Sequence, residues 1–133
     1  MDQMARDFAD EAHFVFVYTR EAHAEKGPDY AEGIGLPPTT EEHPFSAIKS
    51  IGQKFDHARI MRDLHQTPRH IAVDDLDGPV HRAYSGCSNM SWIIDHTGGV
   101  AYKASWTDVK DIRRALEEVI EIRNTKRAGG RVQ

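Results

Sequence analysis

Phe14-Val15-Phe16-Val17-Tyr18 is a run of five apolar or aromatic residues, followed at once by Thr19-Arg20-Glu21-Ala22-His23. An uninterrupted apolar run of this length has the pattern of a strand buried on both faces, which belongs to a parallel sheet covered by helices. A buried inner strand needs neighbours. Upstream, Met1, Met4, Ala5, Phe8 and Ala12 fall at helical spacing with Asp2, Asp7 and Asp10 on the other side, which predicts a short amphipathic helix without a visible cap. Downstream, positions 24–42 carry Gly27-Pro28, Gly33, Gly35 and Pro37-Pro38 and read as a long surface loop.

Phe45, Ile48, Ile51, Phe55, Ala58, Met61 and Leu64 repeat at three and four residues and predict an amphipathic helix closed by Pro68. Gly52 weakens its middle by about 1 kcal/mol. His70 to Val73 is expected as a short strand, and Asp74 to Gly78 as a turn leading through Pro79 into a brief helix around Val80, Ala83 and Tyr84. Trp92-Ile93-Ile94 and positions 100–104 flank Asp95-His96-Thr97-Gly98-Gly99, the pattern of a β-hairpin whose glycines supply positive φ. Thr107 or Asp108 caps a last helix with the stripe Val109, Ile112, Leu116, Val119 and Ile120, fraying beyond Asn124.

A chain of 133 residues, 39% hydrophobic and 29% charged, fits one α/β domain, placed at positions 1–124 and followed by a basic flexible tail at 125–133. Its net charge of −4 comes without a concentrated basic stripe, so the electrostatic footprint of a nucleic-acid binder is missing. No apolar stretch nears the roughly 20 residues that cross a bilayer, and the expected location is the cytoplasm. The single cysteine, Cys87, excludes an internal disulfide or a C-x-x-C redox pair within these residues.

Several separated matches resemble the iodothyronine deiodinases, a family of thioredoxin-like fold. Val17-Tyr18 with Glu21-Ala22-His23 resembles the family's V/I-Y-x-x-E-A-H signature, and Met4-Ala5-Arg6 resembles the segment a few residues after its selenocysteine. Ala58-Arg59-Ile60-Met61, Val73-Asp74 with Ala83-Tyr84, and Trp92-Ile93-Ile94 with Tyr102-Lys103 resemble later elements. The resemblance implies a thioredoxin-like mixed sheet flanked by helices, with the first central strand missing from this chain and the nucleophile lying upstream of Met1. Two ladders left unpaired by that gap would each lose about 1–3 kcal/mol per unsatisfied buried group, which a domain of roughly 5–15 kcal/mol total stability could not absorb.

The implied reaction is reductive dehalogenation of an aromatic small molecule by an upstream selenol or thiol. No bound cofactor is expected, a thiol reductant would supply electrons, and this chain alone would be inactive. A homodimer is compatible with the resemblance. The family places a cis-proline where this chain has Ser88. Two rivals stay open: a peroxiredoxin-like thiol reductase acting on peroxide, suggested by the Ile94-to-Val100 hairpin, and a degenerate thioredoxin-like module that binds a protein partner.

His23 follows the carboxyl end of the first strand, where open α/β sheets bind ligands, and an imidazole there can donate a proton to a substrate phenolate. Its plainer reading is a loop-fixing histidine. Glu21, two residues earlier, could orient His23 or be a solvated charge. Cys87 could resolve an oxidised selenium or sulfur, although lone cysteines are more often inert. His43 is a second candidate for binding substrate. Eight histidines invite a metal reading, but no pair has ligand spacing, and none is expected.

Overall fold

In the computed structural model, residues 1–19, 48–84 and 89–129 are described. Their order is α1 (Asp2–Asp7), β1 (Val15–Tyr18), α2 (Ile51–His65), β2 (His70–Val73), α3 (Pro79–Ala83), β3 (Ser91–Ile94), β4 (Val100–Ala104) and α4 (Val109–Gly129). This is a mixed α/β architecture with two two-stranded sheets, one parallel and one antiparallel. The described residues form two compact units.

One unit holds Met1, Gln3–Ala12 and the described residues from Asn89 onward. Strands β3 and β4 pair antiparallel around a turn held by Asp95, whose Oδ1 accepts from Thr97 N at 2.8 Å, Thr97 Oγ1 at 2.6 Å and Gly99 N at 3.0 Å. Those bonds, led by the Thr97 hydroxyl, hold the carboxyl of Asp95 below its usual range. Only Gly98 takes positive φ, at 89°, so one of the two turn glycines meets the conformational demand the sequence suggested for both.

Asp108 caps α4 by accepting from Lys110 N and Asp111 N at 2.9 and 3.0 Å. Ile112 and Leu116 are buried as the apolar stripe requires, but Val109 is exposed. The helix continues to Gly129, past Asn124, since no glycine or proline interrupts 124–128 and Lys126 and Arg127 suit the negative end of its dipole. Arg113 binds Asp7 and lies over Phe8, and Arg123 binds the backbone and carboxylate of Glu11, which tie residues 7–11 to α4.

The second unit holds Asp2 and the described residues from His13 to Tyr84. Strands β1 and β2 run parallel in the register Val15↔His70 to Tyr18↔Val73. Of β1 only Tyr18 is buried; Val15 is 57% exposed, against the expectation of cover on both faces. The ladder to β2 is its one strand pairing among the described residues.

Helix α2 departs further. It starts at Ile51, after Ile48 of the expected stripe, while Phe45 lies outside the described residues; Ser50 caps it, with Gln53 N donating to Ser50 Oγ at 3.2 Å and Gln53 Oε1 accepting from Lys49 N at 2.9 Å, a variant of the reciprocal capping box. Gly52 thus falls in the first turn, where it costs less than in the middle. The buried face is Lys54, His57 and Ala58, while Ile51, Phe55 and Leu64 of the expected stripe are exposed. Gln66, left-handed at φ 48°, ends the helix ahead of Pro68.

Candidate functional site

The inner line of α2 runs antiparallel to β1. Lys54 meets the carboxyl end of β2, His57 meets the last residue of β1, and Met61 shares a cavity wall with Phe16 and Ile71 farther back. Carboxyl ends of parallel strands are where α/β sheets place their ligands, so the Lys54–His57 end is the natural candidate.

Tyr18 closes β1 with its side chain turned to α2, and its hydroxyl lies 3.5 Å from His57 Nδ1. Both side chains are buried, at 6% and 8% exposure. Which of them donates depends on the imidazole tautomer. Lys54, 2% exposed, donates from Nζ to the carbonyl oxygens of Asp74 at 2.7 Å and Asp75 at 3.1 Å. Burying an ammonium is costly, and these charge-assisted bonds offset the loss of water.

Asp74 extends the ladder by donating its amide to Tyr18 O at 3.0 Å. Its carboxylate then accepts from Asp75 N at 3.0 Å, Val80 N at 3.0 Å and His81 N at 2.8 Å, gripping the start of α3. Burial alone would raise the carboxyl of Asp74. The three amides, aided by the Lys54 charge, outweigh that and hold it below its usual range. The result is an ionised carboxylate, a fixed ammonium and a phenol–imidazole pair at one strand end, an array able to hold and pass protons.

Four residues singled out in the sequence, Glu21, His23, His43 and Cys87, lie outside the described residues, as does Ser88. Lys54 and His57 were not singled out, and Tyr18 and Asp74 entered only within the matched stretches Val17-Tyr18 and Val73-Asp74. A signal for two of them was present: on a helical projection of α2, Ile51 and Phe55 fall to one side and Ile60 and Leu64 to the other, so Lys54, His57 and Met61 occupy the middle of a broad apolar arc. Polar residues at the centre of such an arc mark a buried polar line.

Among the described residues, no group of three or more histidine, cysteine, aspartate or glutamate side chains could hold a metal ion, and no helix is long and apolar enough to cross a membrane. No family model, curated protein or solved structure matches the chain.

Proposed function

We propose that this chain is the body of a deiodinase-like oxidoreductase that removes halogen reductively from an aromatic small molecule, with a selenol or thiol supplied from outside these 133 residues. The observation that carries the reading is the buried Tyr18–His57 pair at the end of β1, directly before the Glu21-Ala22-His23 segment. In this reaction the nucleophile takes the halogen from the ring carbon and the carbon receives a proton, so a proton source beside the substrate is required. Two equivalents of a thiol reductant then restore the nucleophile, releasing a disulfide and the hydrogen halide.

His23 binds the substrate's phenolic oxygen in this scheme, and Glu21 orients it. Tyr18 and His57 serve as the reserve from which that proton is replenished. Support comes from the element order, which follows the sequence expectation through every strand and helix, and from the clustering of ionisable groups at the strand ends. Thioredoxin-like topology, a cytoplasmic location and the resolving role of Cys87 are parts of the same proposal.

The test is iodide release from an iodinated phenol by the polypeptide carrying the upstream nucleophile, with dithiothreitol as reductant. Turnover is expected, falling by about 10²-fold or more in His23→Ala, the range of a lost acid–base group. Reduction of hydrogen peroxide without iodide release would move the chain to the peroxiredoxin-like reading, and silence toward both substrates would reject an enzyme.

A further inference from the structure

Behind the Tyr18–His57 pair, toward the amino ends of β1 and β2, lies a cavity of about 250 Å³. Its apolar walls are Phe16, Met61 and Ile71, with Phe16 and Ile71 paired across the parallel ladder. Asp2, Thr67 and Arg69 form its polar side, and His65 closes the remainder. The volume falls short of the roughly 300–1,000 Å³ typical of sites for drug-sized ligands, which suits a small metabolite.

The polar side is half engaged. Arg69 Nε donates to Asp2 Oδ1 at 2.6 Å and to Thr67 Oγ1 at 3.1 Å, and the Thr67 hydroxyl donates to the same Asp2 oxygen at 2.8 Å. The guanidinium carbon sits 5.5 Å from the Phe16 ring centroid, a cation–π contact that holds it over the apolar wall. Among the described residues, Nη1 and Nη2 of Arg69 and Oδ2 of Asp2 take no hydrogen-bond partner. The side chains of Arg69 and Asp2 are 23% and 29% exposed.

From this geometry we infer a binding site for a small apolar α-amino acid: its carboxylate on the terminal nitrogens of Arg69, its ammonium on the free oxygen of Asp2, and its side chain against Phe16, Met61 and Ile71. Two terminal guanidinium nitrogens match a carboxylate in a bidentate arrangement. Asp2 and Arg69 already neutralise each other. A ligand with a single charge would leave that half-buried pair with a net charge to solvate, whereas a zwitterion keeps the site neutral while satisfying both open ends. The site is separate from the Tyr18–His57 pair and does not depend on the proposed reaction.

Calorimetric titration of the full chain with L-leucine, 4-methylpentanoate and 3-methylbutylamine tests this directly, since the last two each lack one charged group. L-leucine should bind one to one, and each analogue should bind at least about tenfold more weakly, the value of one lost charge-assisted contact. Arg69→Met, which keeps an aliphatic stem over Phe16, should weaken L-leucine by a similar factor, and amide shifts on adding leucine should centre on Phe16 and Ile71. Absence of leucine binding at millimolar concentration, or equal affinity for 4-methylpentanoate, would overturn the assignment.

Discussion

Helix α4 buries Ile112 and Leu116 toward the β3–β4 hairpin, whereas α2 turns Lys54 and His57 inward with Ala58 and leaves Phe55 and Leu64 at 44% and 70% exposure. Both helices carry enough apolar residues to bury an apolar stripe. The first does so and needs no further explanation, because removal of apolar surface from water accounts for it. The second gives up that gain and desolvates a cation instead. The lesson is that α2 is placed by what its inner residues hold, the backbone carbonyls after β2 and the hydroxyl at the end of β1.

This contrast makes graded predictions. Leu116→Ala in α4 should cost about 2–5 kcal/mol in urea unfolding, since it empties a buried apolar position. Lys54→Met in α2 should cost about 1–3 kcal/mol, because the carbonyls of Asp74 and Asp75 lose their charged donor although apolar volume is kept. If Lys54→Met proves as costly as Leu116→Ala, the two faces do not differ in kind.

Acid sharpens the comparison. The folded-state value of Asp74 lies below its ordinary 3.8, so its contribution to stability is present above that value and is lost as pH falls through the lower one. Asp2 and Asp95 are displaced in the same direction. Asp74→Asn should therefore flatten, without abolishing, the loss of stability in an acid titration followed by circular dichroism. A wild-type slope would detach the carboxylate from the strand-end array. Asp108→Ala, which removes the α4 cap, should cost about 0.5–2 kcal/mol. Smallest of all, Leu64→Ser should change stability by no more than about 0.5 kcal/mol, as for most exposed positions; a larger loss would show that the apolar flank of α2 is covered.

Much of the fold was legible. Strand β2 occupies His70–Val73 as read from its apolar run and the turn residues after it, and the hairpin follows its Asp95-to-Gly99 turn. Local chemistry decides such elements. The start of α2 was also written locally, in the Ser50-to-Gln53 spacing, but the periodic apolar residues before it drew the boundary back toward Phe45. Which face of α2 is buried was not legible from periodicity, because Lys54 finds its partner twenty residues away in sequence. For the site, the sequence pointed to the segment just beyond Tyr18, and Tyr18 itself entered only through the matched Val17-Tyr18 stretch. His57 looked like one histidine among eight.

The most direct test of a chemical role for this pair is the double variant Tyr18→Phe with His57→Leu, made in the longer polypeptide proposed to carry the nucleophile. Measured per folded molecule, kcat/KM for iodide release should fall by about 10²-fold or more. A loss of several kcal/mol with unchanged iodide release per folded molecule would contradict the functional role of the pair.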